Sequence, residues 1–542
     1  MDVIPSGLVL WNALIAVILA LPLSWLVLLL YGRNLRQGMR GLSSATAGTE
    51  LVLRSDAVRA NRSSRGVRAT PSAMKWRLVV VYALAALVAS GTAVAFQALL
   101  PQAPRVRGLG QALVLVHATA WPLVPTLITV LSSSRAGASW VVVSYLMTGV
   151  VIALALVIQA KVPVVHGATI IKSLRADFSV VAMMATPPGL VLALLQQRRI
   201  RAASAFVLIA LLVFAFATLA FLQALAAALG VSFDEITERG QQLSMLPVFL
   251  LLALPIGLVC WMTARWLVHA HRTRRFSDVQ LSADAFWVIA LMATSALLMP
   301  RTGWRGLWLL IVAFIGYRAA VALGLWLCPI TSCDERPLDL LFLRVFHATA
   351  HAERLFDAIV PDWRFRGSVQ LIGGPDLARR TADISEVLAL LSGELRDTYV
   401  RSQADLDRRL AESPSGRDPD GRFRVHKLVC FEDTWQRAFE ALLDRTDLVL
   451  MDLRGFTPAN RGCVFELETI LARGKAAHTL VVVDDAEGAL RAALSESGLG
   501  EDALAALQMI RIRGNSSRTL RRVYTSLSEL RPLTRHAAAA RT

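Results

Sequence analysis

The chain has 542 residues, 55% of them hydrophobic, and a mean hydropathy of +0.52, which excludes a purely water-soluble protein and allows two to four domains. Its formal charge of +17 is unevenly placed: residues 1–333 hold 27 Lys+Arg and 9 Asp+Glu, whereas residues 334–542 hold 30 and 31. The basic excess belongs to the apolar part, where Lys and Arg set membrane orientation, and the near-neutral remainder excludes a basic nucleic-acid footprint.

Nine apolar runs read as membrane spans, near residues 7–31, 78–100, 111–131, 139–160, 178–196, 203–229, 245–268, 285–299 and 307–328. The first has no basic n-region and is followed by Arg33, Arg36 and Arg40, so it reads as a span with a stop-transfer flank rather than a signal peptide. With the N-terminus outside, the loops left inside (32–77, 132–138, 197–202 and 269–284) carry 17 Lys+Arg. The outer loops (101–110, 161–177, 230–244 and 300–306) carry 8. This bias puts the C-terminal part in the cytoplasm and suggests the inner (plasma) membrane of a bacterium. The five cysteines, Cys260, Cys328, Cys333, Cys430 and Cys463, show neither a disulfide framework nor zinc spacing, which fits a reducing compartment.

The loop from Tyr31 to Trp76 is basic and rich in Ser, Ala and Gly. It reads as a flexible segment against anionic lipid, or as an ordered docking segment for the C-terminal part. No Asp or Glu falls inside any of the nine runs, which argues against a proton- or cation-coupled pump. Arg318, beside Tyr317, is the one charge near the middle of a run. It reads as a structural arginine bonded to carbonyls or lipid phosphate, or as a substrate or gating group.

Apolar sequence gives way to mixed charge at Cys328–Pro337. Residues 338–365 read as an amphipathic linker helix. His347 and His351 on it have zinc-like spacing but no HExxH and no third ligand, so they read as a solvated or core face. From residue 366 to 530 strands alternate with helices. The strands are SVQLIGG (368–374), FRVHKLVCF (423–431), LVLMDL (448–453), HTLVVVDD (478–485) and LQMIRIR (507–513). Helices are expected over 383–400, 433–445, 460–473, 486–494, 502–507 and 516–530, and GRDPDG (416–421) as a turn or exposed loop. Strands that are apolar throughout and alternate with helices predict a mostly parallel, doubly wound α/β sheet. Ligands bind beyond the carboxyl ends of such strands. Residues 531–542 read as a flexible tail.

Two strand ends carry residues fit for chemistry. At the first, Gly373 and Gly374 let backbone approach a ligand and Asp376 follows at a helix start, although Gly-Gly-Pro is also an ordinary turn. At the second, Asp452 and Arg454 leave the strand, Asn460 opens a helix, and Glu466 follows Gly462 and Cys463. By spacing alone Glu466 is either a site carboxylate or a surface carboxylate favoured by the helix dipole. No Walker A or GxGxxG pattern is present, so nucleoside triphosphate hydrolysis is not expected.

Residues 366–490 resemble the superfamily that joins nucleoside 2-deoxyribosyltransferases and nucleotide N-hydrolases with TIR domains. The resemblance rests on the Gly373-Gly374-Pro375 turn, on Gly462-Cys463-Val464-Phe465-Glu466-Leu467, and on Gly474-Lys475 before the next strand. The tryptophan of the TIR pattern is Gly462 here, and the Asp-x-Gly-Thr of the transferases is Asn460-Arg461-Gly462-Cys463. About fifty residues separate the first two strands of this region. The resemblance implies N-glycosidic cleavage of a nucleotide, NAD among the candidates, with Glu466 at the anomeric carbon. Gly373, Gly374, Asp376, Asp452, Arg454 and Asn460 would then bind ribose or phosphate. Such a site needs no metal and no cofactor. The expected partners are the lipid bilayer, a nucleotide and a second copy of the chain, with no nucleic acid. The rival readings are a non-enzymatic sensor that binds a nucleotide or self-associates, and a channel gated by the domain.

Overall fold

The structure is a computed structural model that describes residues 6–40, 70–99, 109–131, 135–159, 201–230, 246–328, 337–345, 350–373, 384–395, 399–412, 416–431, 434–485, 487–496 and 505–530. It divides into two compact units. One is helical and comprises Met1–Tyr31, Lys75–Ile330 and Thr381–Gly393; the other comprises Gly32–Met74, Thr331–Arg380 and Glu394–Thr542 and carries the sheet.

The helical unit contains α1 (Ser6–Arg40), α2 (Pro71–Leu99), α3 (Leu109–Thr119), α4 (Leu123–Leu131), α5 (Arg135–Gln159), α6 (Arg201–Leu229), α7 (Leu246–Arg272), α8 (Asp278–Thr302) and α9 (Leu307–Leu327). Five described helices are long and apolar enough to cross a membrane: α2, α6, α7, α8 and α9. A sixth span results if α3 and α4, bent by 49° at Ala120–Pro122, count as one. Pro122 cannot donate a backbone N–H at that break. The nine spans read from sequence are thus five or six here, and the run near 178–196 lies outside the described residues. On α8, Phe286, Ile289 and Ala290 pack against Ala16 and Ala20 of α1, Trp121, and Ala205, Leu208 and Leu212 of α6.

Two sequence expectations about this unit change. Helix α8 begins at Asp278, not 285, so Asp284 lies within an apolar spanning helix. Arg318 has a carboxylate partner that the sequence reading did not include: its Nη1 donates to Asp284 Oδ2 at 2.9 Å.

The helical unit also holds a helix that belongs, by sequence, to the sheet region. This is α11 (Ile384–Ser392), ended by Gly393 at φ +81°. Its Leu388 packs with Val268 and Leu267 of α7, Leu281 of α8 and Phe206 of α6. The helix expected over 383–400 therefore stops early, and its last two residues are a strand.

The sheet unit contains β1 (Leu340–Arg344), α10 (Ala350–Trp363), β2 (Val369–Gly373), β3 (Tyr399–Val400), α12 (Gln403–Glu412), β4 (Val425–Cys430), α13 (Trp435–Arg445), β5 (Leu448–Asp452), α14 (Arg461–Ala472), β6 (Thr479–Val483), α15 (Glu487–Glu496), β7 (Gln508–Arg511) and α16 (Ser517–Glu529). Seven parallel strands run in the order β3-β4-β2-β1-β5-β6-β7. From β1 the chain passes to β2 and then to β3 at the edge, β4 fills the place between them, and the chain returns to β5 on the other side of β1. The order reverses between β1 and β5, which makes their carboxyl ends the ligand crevice of this topology.

Strand β1 corrects the linker-helix expectation over 338–365: only the part from Ala350 is helical. All five residues of LLFLR are buried, as a strand covered on both faces demands. His347 and the side chain of His351 lie outside the described residues.

Alternation along the strands divides the core into two layers. Leu341, Leu343, Val449, Met451, Val481 and Val483 face α12, α13, α14 and α15. Leu340, Phe342, Leu448, Leu450, Leu480, Val482 and Ile510 face α10 and α16. At the amino edge, Asp339 Oδ1 accepts from the Ser368 hydroxyl at 2.7 Å, and Asp447 Oδ2 from the Asp339 amide at 3.0 Å. The GRDPDG segment forms a turn at this edge, with Pro419 exposed and both aspartates buried. Asp418, Asp420 and Arg422 are buried, and Arg424 Nε donates to both Asp418 oxygens at 2.9 and 3.0 Å.

Candidate functional site

The crevice between β1 and β5 is bounded by Arg344 and Asp452, the last residues of the two strands, which stand in register. Both are buried. Arg344 was missed in the sequence because its strand read as helix; an arginine closing the apolar run Leu340–Leu343 was the available signal.

The loop after β5 is held by its own polar groups. Arg454 Nε and Nη2 donate to Asp452 Oδ1 and Oδ2 at 2.7 and 2.6 Å, and Nη1 donates to Asn515 Oδ1 at 2.6 Å. Gly455, at φ +74°, donates its amide to Asp484 Oδ2 at 2.9 Å. Only a residue without Cβ takes that backbone angle without strain. The amide and hydroxyl of Thr457 both donate to Asn460 Oδ1, at 2.8 and 2.9 Å. The side chains of Asp452, Arg454 and Asn460 are thus engaged in building the loop. Asn515 and Asp484, not singled out in the sequence, complete it from the ends of β7 and β6.

Helix α14 then presents Cys463, Glu466, Leu467 and Ile470 to the core. Positions three and four apart lie on one face of a helix, so Glu466 occupies an otherwise apolar stripe. Its residue exposure is 2%, and its Oε2 has no hydrogen-bond partner. Burial pushes the carboxyl up to about 8. At neutral pH the group is mainly protonated in this environment, as expected for a carboxyl removed from water without a cationic partner. The Cys463 thiol, one turn earlier, is pushed up by burial and by Glu466, and Cys430 is pushed by burial to about 12. Neither thiol is a nucleophile under those conditions.

Aromatic rings stand beside this stripe. Trp435 of α13 lies against Gly462, where an added Cβ would sit 3.5 Å from the indole. Trp435 and Phe465 meet edge to face at 5.6 Å, and Phe439 and Phe465 at 6.2 Å.

The sheet separates residues that the sequence grouped. Leu450 faces the α10/α16 layer and Met451 the α14 layer, so Asp452 returns to the α10/α16 side. Glu466 projects into the opposite layer with Cys463, Leu467 and Ile470. Gly373 closes β2, which is separated from β5 by β1. Two strand spacings, about 10 Å, therefore lie between them. Gly374 and Asp376 lie outside the described residues. Among the described residues there is no group of three His, Cys, Asp or Glu able to hold a metal ion.

Comparison with protein-family models, curated proteins and solved structures yields no match to this chain.

Proposed function

We propose that the sheet unit is a hydrolase of the N-glycosidic bond of a nucleotide, NAD being one candidate, and that the helical unit anchors it at the cytoplasmic face of the inner membrane. The observation that carries this reading is Glu466: a buried carboxyl with an unpartnered Oε2, at the start of the helix that follows β5 in a doubly wound sheet. Breaking a C1′–N bond builds positive charge on the sugar, and a carboxylate beside that carbon stabilises the cation or traps it covalently. A developing cation also favours the ionised form of Glu466, offsetting the burial that keeps it protonated in the free protein. The Asp452–Arg454 pair fixes the loop that carries the helix, so these residues position rather than react.

Turnover by the purified full chain in lipid nanodiscs tests the reading. Nucleosides, nucleotides and NAD are supplied, and release of the free base is followed chromatographically. Glu466→Gln and Glu466→Ala should abolish release while leaving the protein folded. Absence of release from every member of the panel by the wild-type chain would reject the enzyme reading.

A second reading has its own support. The segment between β2 and β3 contributes α11 to the helical unit. A sensor in which nucleotide occupancy is transmitted through that segment uses the same feature. Nucleotide-dependent thermal stabilisation without base release, unchanged by Glu466→Gln, favours it over hydrolysis.

A further inference from the structure

Ionisable groups inside membrane helices are costly and are kept where they act. The helical unit holds one such pair between two adjacent helices, Asp284 of α8 and Arg318 of α9. Asp284 is the seventh residue of α8, about 9 Å along its axis from the start of the helix. One carboxylate oxygen accepts from Arg318 at 2.9 Å; the other, Oδ1, is buried with no partner. Beside them Tyr317 is fully buried, its ring 5.2 Å from Trp287, and its hydroxyl is also without a partner. Tyr317 lies within electrostatic range of Asp284, Arg318 and Tyr82 of α2. Arg318 also stacks on Phe276, in the α7–α8 turn, at 5.0 Å.

We propose that Asp284 is a proton-binding site of the helical unit and that its charge sets the packing of α11. The chemistry is asymmetric. Arginine does not give up its proton, so only the carboxylate of this pair changes charge. Uptake of one proton on the partnerless Oδ1 of Asp284 forms a neutral carboxylic acid, removes the buried negative charge, and leaves Arg318 as an uncompensated cation. Arg318 then leaves the pair toward the polar end that Phe276 marks, as long cationic side chains do. One turn before Asp284, Leu281 packs on Leu388 of α11. A change in the α8–α9 contact therefore reaches α11 through one apolar contact.

Asp284 faces Arg318 and Tyr317, and Tyr317 in turn faces Tyr82. The other elements packed against α8 carry Arg33, Arg36 and Arg40 on α1, His117 on α3, Arg201 on α6, Arg305 before α9, Glu386 on α11, and Arg265, His269, His271 and Arg272 on α7; α4 carries none. His271 is held by Asp278 at 2.9 Å.

Infrared difference spectra between about pH 5 and about pH 9 on the full chain in nanodiscs read the carboxyl directly. Hydrogen-exchange protection of residues 384–392, corrected for intrinsic rates, is read on the same samples. Glu466→Gln removes the buried carboxyl of the sheet unit that titrates in the same window, and in that background a protonated-carboxyl band should appear on acidification and vanish when Asp284→Asn is added. Protection of α11 should fall with the same midpoint, and Asp284→Asn should hold it at the acid value at every pH. If the asparagine variant does not fold, Arg318→Gln decides: without its cation the Asp284 band must move up by about one pH unit or more. In the Glu466→Gln background, a band that survives Asp284→Asn, one that stays in place in Arg318→Gln, or α11 protection that ignores pH overturns the proposal.

Discussion

Arg454 grips Asp452 through two hydrogen bonds, Nε to Oδ1 and Nη2 to Oδ2, with side-chain exposures of 4% and 2%. A bidentate guanidinium–carboxylate pair has fixed geometry as well as charge. Placed between β5 and the turn at Gly455, it determines how the chain leaves the strand. Removing one partner leaves the other as a buried charge, which costs about 3–5 kcal/mol. Asp452→Asn or Arg454→Met should therefore destabilise the sheet unit by that order. Hydrogen exchange in β5 and α14 of the full chain is the measurement, and protection unchanged in both variants would contradict the assignment.

Glu466 gives a pH dependence of definite sign. Its folded-state pKa of about 8 lies above the ordinary value of 4.5, so the folded protein binds more protons than the unfolded chain between those limits. Stability is then greatest below about pH 4.5 as far as this group is concerned, and falls as pH rises toward about 8. The loss is on the order of a few kcal/mol. Glu466→Gln should flatten this slope in denaturation of the sheet unit followed at several pH values. If the ionised form does the chemistry, base release by the wild type should rise through the same window, opposite in direction to stability.

The parallel sheet was legible because β5 and β6 are almost wholly apolar and the strand runs alternate with amphipathic helices. Strand β1 was not, because Leu340–Val345 runs into an amphipathic helix and a short apolar run has no period of its own. The burial of Glu466 was readable in part: Cys463, Leu467 and Ile470 form an apolar stripe that includes position 466. That Asp452 and Glu466 face opposite layers was not readable, since it depends on the side of the sheet to which α14 returns. The DPDG turn was legible as a turn, but the burial of its aspartates was not, because composition cannot reveal that Asp418 and Arg424 neutralise each other in the interior. Asp284 escaped notice because a span boundary set by hydropathy stopped one residue after it.

Two glycines should respond in opposite ways. At Gly367 an added Cβ would stand 1.7 Å from the Leu338 carbonyl oxygen, a backbone atom that cannot yield. Gly367→Ala should prevent β1 and β2 from pairing at their amino ends and leave little folded sheet unit. At Gly462 the added methyl meets only the Trp435 ring, at ordinary contact distance. There the gain in helix propensity, about 1 kcal/mol, should prevail, and Gly462→Ala should be neutral or stabilising. Expression and protease resistance of the two variants separate the cases.

Cysteine reactivity tests the layer that contains Glu466. Cys430 and Cys463 are buried, and burial raises both thiols so that almost no thiolate exists at neutral pH. Neither should react with a soluble maleimide in the native chain, whereas both should react in denaturant. Cys463→Ser would place a hydroxyl one turn from the Glu466 carboxyl, within the reach of side chains three apart on a helix. A hydroxyl donating to the carboxylate favours its ionised form, so the pH midpoint tied to Glu466 should move down. Rapid labelling of Cys463 in the native protein would mean that α14 does not pack as described, and the Glu466 environment would have to be reconsidered with it.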